Sequence, residues 1–397
     1  MSFSMKQNII MTMAGKFAIL FCNFLVVVLT ARWWGAEGRG QVAMFVADVG
    51  LLAIISSVFT GSSVSYHLKK IGKKTLFTFS FFWLLFTSAV GTILFFFLET
   101  QENAHFFFLV SFFLGCLSFY NSLFVGSQRL GWYNLLTVLQ PVSLLLFLFV
   151  FHYFTEGGFR SYFFAWTLSS ALLLLVVFAC HRTSIFFQFR TLRKNDALQL
   201  FKFGFQTQLS EFLQFFNTRL SYYFLVYHAG EAKLGVFSIG VALSEAVLVV
   251  ARSISMVQYS RILGEGIEKN EAKEVTGEGL KYCLMFTLIV LVVANLLPKE
   301  IFMYVFGDEF YEVKRILLWL SPGIFFASIS NIIGHYFSAM GSLKILVIKS
   351  VVGVIVTFAV SLFAISRWHI DGAILVNLSS NFITFLVLWL AYRKDDD

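Results

Sequence analysis

The stretch Ala31-Arg32-Trp33-Trp34-Gly35-Ala36-Glu37-Gly38-Arg39-Gly40 separates two apolar runs, Asn8 to Thr30 and Gln41 to Val64. Each run is long enough to cross the ~30 Å hydrocarbon core of a bilayer as a helix. Glycines, two arginines and a glutamate mark the stretch as a solvated turn, and Trp33 and Trp34 suit the headgroup level. A second copy, Ala229-Gly230-Glu231-Ala232-Lys233-Leu234-Gly235, follows 195 positions later, with Gly35 falling on Gly230 and Gly40 on Gly235. Both copies lie between long apolar runs, so the pattern predicts one half-bundle that occurs twice.

Composition supports that expectation. Of 397 residues, 58% are hydrophobic and 13% charged, and the mean hydropathy is +0.79; a soluble chain carries about 25% charge. The class is an all-α polytopic membrane protein. A β-barrel needs short alternating segments, whereas these runs are continuously apolar. The net charge of +8 is no nucleic-acid signature, because the basic residues cluster in short loops. Cys22, Cys116, Cys180 and Cys283 all fall in apolar runs without CxxC spacing and read as buried small hydrophobes. The first run lacks a small-residue cleavage pattern and reads as a retained helix.

Hydropathy places about twelve spans, roughly 8–32, 41–65, 75–98, 105–125, 134–153, 161–180, 199–227, 233–257, 280–298, 316–340, 345–366 and 372–392. They divide into an N-terminal six-helix half over 1–180, a cytoplasmic interfacial linker over 181–198, and a C-terminal six-helix half over 199–397 around a central cavity. With the N-terminus inside, the cytoplasmic segments hold 17 Lys and Arg against 8 outside, so both termini are expected in the cytoplasm. Gly264 to Gly279 reads as a solvated helical connector, and Asp395-Asp396-Asp397 as a solvated tail.

Polar residues inside the spans carry the functional information, since a mid-bilayer charge costs roughly 2.5–3.5 kcal/mol and persists only where it faces protein or water. Thr12, Lys16, Asn23 and Thr30 fall within one arc of the first span, and Gln41 and Asp48 are seven apart on the second. The seventh carries Thr207, Ser210, Glu211, Gln214, Asn217, Thr218 and Ser221; the eighth carries Ser238, Glu245 and Arg252 at intervals of seven. The tenth shows Ser321, Ser328, Asn331, His335 and Ser338, and the twelfth Asn377, Ser380, Asn381 and Thr384. Two halves facing one water-filled cavity, as in alternating access, account for this concentration. Other readings stay open: Lys16 and Arg252 snorkel from the cytoplasmic end, Asp48 pairs with Lys16, and His335 is a hydrogen-bonded bundle residue. Arg219 lies about 140° off its helix's polar stripe, which suits packing against a neighbour as well as substrate contact. Tyr222, Tyr223, Trp166 and Tyr336 suit either stacking on sugar rings or an interface belt.

No GxxxxGK[ST], HExxH, GxSxG or CxxC occurs, so no enzyme chemistry, metal or cofactor is indicated, and transport runs on substrate supply or an ion gradient.

The pattern Ala31-Arg32-x-x-Gly35-x-x-Gly38-x-Gly40 resembles Wzx-type polysaccharide-unit flippases of the multidrug/oligosaccharidyl-lipid/polysaccharide (MOP) exporter superfamily. Phe201-Lys202-Phe203-Gly204, Leu234-Gly235-Val236-Phe237-Ser238, Phe306-Gly307-Asp308-Glu309-Phe310, Ala339-Met340-Gly341 and Ile370-Asp371-Gly372-Ala373 extend the resemblance over nearly the whole chain. It implies transfer of an undecaprenyl-pyrophosphate-linked oligosaccharide, an O-antigen or capsule repeat unit, across a bacterial cytoplasmic membrane. The implied partners are the lipid-linked substrate, membrane lipids, and a polysaccharide polymerase with chain-length machinery. On that reading Lys16, Asn23, Gln214, Asn217, Arg219 and Arg252 bind substrate, with Lys16 and Arg252 attracting the pyrophosphate. Asp48, Glu211, Glu245, Asn331 and His335 line the cavity or couple to an ion. One departure is that mid-membrane charges balance, Lys16, Arg219 and Arg252 against Asp48, Glu211 and Glu245. The rival readings are an ion-coupled exporter of organic cations on the same fold, a membrane glycosyl ligase or polymerase, and a non-transporting scaffold.

Overall fold

The computed structural model describes residues 5–98, 103–154, 158–180, 194–265 and 268–395. No strand occurs among them. The helices are α1 (Met5–Thr60), α2 (Ser62–Ile71), α3 (Lys73–Leu98), α4 (Ala104–Gly126), α5 (Leu130–Phe154), α6 (Arg160–Cys180), α7 (Lys194–Glu265), α8 (Lys269–Leu296), α9 (Lys299–Phe306), α10 (Val313–Ala339), α11 (Leu343–Val360), the single turn α12 (Ser366–Trp368) and α13 (Ile370–Lys394). Among the described residues ten segments are long and apolar enough to cross a membrane, where the sequence predicts about twelve spans. The difference lies in α1 and α7, each of which carries two of the predicted spans across one non-helical glycine, Gly35 and Gly230.

The expected linker at 181–198 lies outside the described residues up to 193, and 194–198 already form the start of α7. By contact the chain divides into two compact units. One comprises Met1–Val26 with Phe45–Phe212, the other Val27–Met44 with Leu213–Asp397.

In the first unit, α2 to α6 close around Val64, Leu76, Leu84, Tyr120, Leu136, Leu173 and Val177, with Leu200 of α7. Phe45 sits among Phe163, Phe107, Phe95 and Trp166 at ring separations of 4.0 to 6.5 Å. Two hydroxyl pairs bridge neighbouring helices: Ser56 of α1 meets Thr87 of α3 at 3.0 Å, and Ser143 of α5 meets Ser169 of α6 at 2.6 Å. Such pairs hold membrane helices together where lipid supplies no hydrophobic drive.

In the second unit α10 is deeply enclosed, with Leu320, Ile332, Ile333 and Tyr336 fully buried. Its polar stripe is spent largely on packing: Asn295 of α8 donates to Ser321 at 3.0 Å, and Thr287 donates to Ser328 at 3.4 Å. Outward-facing Phe97, Leu296 and Phe363 are strongly exposed, as lipid-facing positions must be in a chain this apolar.

The Ala31–Gly40 stretch differs from its expectation. It is a buried kink, with Ala36, Gly38, Arg39 and Gly40 all buried and only Arg32 and Glu37 exposed. Arg39 is 8% exposed and donates to Thr30 Oγ1 at 3.4 Å. Gly35 has φ 64° and ψ −166°, a region closed to side chains, and Gly230 is alike at φ 80° and ψ 172°. The burial follows from backbone-to-backbone contact. A Cβ at Gly40 would collide with the carbonyl of Glu231, and one at Gly235 with the carbonyl of Ala36. The offset of 195 that aligns the two copies also exchanges these two contacts, because Ala36 maps onto Glu231. The two glycine kinks therefore approach each other reciprocally.

The helix leaving Gly35 is capped from far away: Ala36 N–H donates to Glu309 Oε2 at 2.7 Å. Two motifs separated by most of the chain thus meet at one helix N-terminus, where a carboxylate suits both the free amide and the dipole. Arg32 lies over the ring of Tyr304, 5.8 Å from its centroid.

Two further expectations are corrected. Cys180 is exposed at the end of α6, while Cys22, Cys116 and Cys283 are buried. Asp395 is no solvated tail: it accepts from the Tyr336 hydroxyl at 2.6 Å and pairs with Lys269 at 3.0 Å, and its carbonyl accepts from Lys273 at 2.6 Å. Both lysines lie in the stretch expected to be a solvated helical connector, and Lys273 also lies over the Tyr392 ring at 5.7 Å.

Candidate ion-pair site within the second unit

The two arms of α7 lie antiparallel about Gly230, which brings Arg219 of the first arm against Glu245 of the second. Arg219 Nη2 donates to Glu245 Oε1 at 2.7 Å, and Nη1 donates to Tyr222 Oη at 3.2 Å. The guanidinium carbon stands 5.1 Å from the Tyr222 ring centroid. At ~1.5 Å of rise per residue, Arg219 and Glu245 lie roughly 16 and 22 Å from the kink, inside the hydrocarbon layer. There an ion persists only against a partner or water, and Arg219, off its own helix's polar stripe, reaches the carboxylate on the neighbouring arm.

The pair is not sealed. The Arg219 side chain is 24% exposed and that of Glu245 39%. Arginine carries five N–H donors, and two have partners here. Glu245 uses one oxygen.

The other sequence-predicted residues fall into two groups. Lys16 and Asn23 of α1 and Glu211 of α7, in the first unit, have exposed side chains, as do Gln214 and Arg252 of α7 in the second. Asp48 is half-buried in the first unit. Asn217 donates to the carbonyl of Ser350 at 3.3 Å and packs against Gly353 of α11. Asn331 donates to the carbonyl of Ala327 at 2.9 Å. His335 Nδ1 is hydrogen-bonded to the carbonyl of Asn331 at 2.8 Å, with its ring edge-on to Tyr259 at 5.9 Å. These last two are satisfied within α10.

Tyr222 and Tyr336 are 4% and 0% exposed, so neither presents a face for sugar stacking. Tyr222 instead completes the Arg219 site; its spacing of three from Arg219 on one helix was the available signal. Among the described residues no group of three or more His, Cys, Asp or Glu side chains is placed to hold a metal.

The architecture is shared with solved membrane transporters. An inward-facing multidrug resistance MATE family transporter of the MOP superfamily superposes with a TM-score of 0.75 at 15% identity, over 96% of this chain and 95% of that one. The lipid II flippase MurJ, in an inward closed conformation, gives 0.67 at 17% identity, over 98% and 88%. A MOP superfamily transporter from Pyrococcus furiosus, described as having a binding pocket of reverse polarity, gives 0.61 at 15%, over 98% and 95%. The fold is thus that of multi-pass helical transporters of the MOP superfamily. Residues 5–262 match the model of the polysaccharide biosynthesis protein family, and the chain belongs to that family. No curated protein matches it in sequence.

Proposed function

We propose that the protein is a flippase that moves an undecaprenyl-pyrophosphate-linked oligosaccharide, an O-antigen or capsule repeat unit, across the bacterial cytoplasmic membrane by alternating access, with both termini cytoplasmic. The observation that carries the reading is the exposure of Lys16, Asn23, Glu211, Gln214 and Arg252 although all five lie in apolar spans. Facing lipid, each charge among them costs roughly 2.5–3.5 kcal/mol; lining an aqueous passage, it costs far less. Membership of the polysaccharide biosynthesis family supports a substrate of that class. Lys16, Arg219 and Arg252 attract the pyrophosphate, Asn23, Gln214 and Asn217 hydrogen-bond sugars, Asp48 and Glu211 answer to a coupling ion, and Glu245 lines the cavity.

The test is complementation in a strain lacking the gene. Lys16→Ala combined with Arg252→Ala is expected to reduce surface polysaccharide at least about tenfold, the effect of losing ~1.4 kcal/mol of substrate binding, with the protein still in the membrane. Normal polysaccharide from the double variant sinks the assigned binding roles. A second reading, ion-coupled export of organic cations, is favoured by the carboxylates Asp48, Glu211 and Glu245 within the spans. It predicts that the protein lowers ethidium accumulation in cells.

A further inference from the structure

We propose that Glu245 is a resident counter-ion that occupies the anion seat of Arg219 when the site is empty, and that a phosphate headgroup displaces it during each transport cycle. The class of anion rests on the flippase reading; the exchange itself rests on the geometry of one unit.

Arg219 is held on one side by Tyr222, through the 3.2 Å hydrogen bond and the ring beneath the guanidinium. That contact involves a neutral, buried residue on the same helix arm and fixes the direction of the fork. The contact with Glu245 is of another kind. It joins two helix arms, uses a single oxygen at 2.7 Å, and lies between side chains 24% and 39% exposed. An ion pair built for stability in a membrane has reason to be bidentate and enclosed, since partial exposure adds screening and an unused oxygen adds desolvation cost. This pair is neither.

A pyrophosphate offers what the carboxylate does not: more acceptor oxygens and higher charge, which suit the remaining Arg219 donors. A carboxylate already seated on Arg219 also keeps a bare cation from standing inside the hydrocarbon layer between cycles. Removing the substrate therefore leaves no unpaired charge, and binding it requires no free site, only an exchange of partners. On this account affinity is deliberately moderated, because every phosphate must compete with a tethered carboxylate, and release is helped by the same competitor. A transporter gains from that arrangement, since a headgroup bound too firmly would not leave.

The experiment uses purified full-length protein in zwitterionic detergent, titrated separately with inorganic pyrophosphate, undecaprenyl pyrophosphate and phosphatidylglycerol. Glu245→Gln removes the competing charge and is expected to tighten phosphate binding about tenfold, the scale of coupling between groups in contact. Arg219→Gln is expected to weaken the binding at least about tenfold, and in that background Glu245→Gln should change nothing. Should Glu245→Gln fail to fold, Glu245→Asp weakens the pair by shortening the arm, and a smaller tightening in the same direction is expected. Tightening toward the pyrophosphates identifies the substrate headgroup as the displacing anion, and tightening toward phosphatidylglycerol identifies bulk lipid. Unchanged or weaker binding of all three ligands overturns the proposal, and a change in melting temperature alone assigns the pair a structural role. The flippase reading fails separately: a gene deletion that leaves surface polysaccharide intact overturns it, whatever Glu245→Gln does to binding.

Discussion

Asp395 shows how a residue's meaning depends on what reaches it. Burial would raise its pKa, but the Tyr336 hydroxyl and the Lys269 ammonium, with Lys273 nearby, outweigh that and hold the carboxyl below its ordinary 3.8. A depressed folded-state pKa stabilises above the unfolded value and loses that stabilisation as pH falls through the folded one. The contribution of Asp395 is therefore complete at neutral pH and disappears only below about pH 4. Asp395→Ala leaves the Tyr336 hydroxyl, on a fully buried residue, without its acceptor, at a cost of about 1–3 kcal/mol. Thermal unfolding in detergent should show a lower melting temperature for Asp395→Ala at pH 7, with the gap narrowing toward pH 3. Removing Asp396 and Asp397 alone should leave the melting temperature unchanged if Asp395 is the residue that matters.

At the scale of elements, the two kinks separate backbone strain from steric crowding. Nothing lies within 4 Å of a Cβ built on Gly230, yet its φ and ψ are closed to side chains. Gly230→Ala should destabilise by about 1–3 kcal/mol through strain alone. At Gly40 the conflict is with the Glu231 carbonyl, and relief requires two helix arms to part. Gly40→Val should cost more than Gly230→Ala, and chemical unfolding of both variants in mixed micelles compares them. Equal costs would mean that the approach of the kinks is soft. Glu309 adds the matching prediction for capping: Glu309→Ala should weaken the start of the helix at Ala36 by about 0.5–2 kcal/mol, visible as faster hydrogen exchange of that amide.

For the whole molecule, orientation is the property that function needs most, because a flippase must take its substrate from the leaflet where it is made. Basic residues favour the side that holds Lys69, Lys70, Lys73 and Lys74, and with it both chain ends. A fluorescent protein that matures only in the cytoplasm, fused after Asp397, should therefore fluoresce, and a periplasm-dependent phosphatase at the same point should stay inactive. The reverse result would invert the assignment of Lys16 and Arg252 to the substrate-loading side.

Hydropathy and glycine spacing alone determined that this chain is a helical membrane protein with matched turns at Gly35 and Gly230, because lipid forces backbone hydrogen bonds inside each segment and so makes the spans local features. Local sequence also marked the polar positions, since each is costly wherever it points. What it did not contain was direction and partner. The ten-residue stretch from Ala31 to Gly40 reads as wet because it is rich in charge and glycine, yet half of it is buried, because those glycines admit another backbone and Glu309 arrives from 273 residues away. Arg219 looked misplaced on its own helix until Glu245 stood opposite, and Asp395 looked free until Tyr336 and Lys269 closed on it. Pairing of that kind joins residues distant in sequence, so only the packed structure decides it.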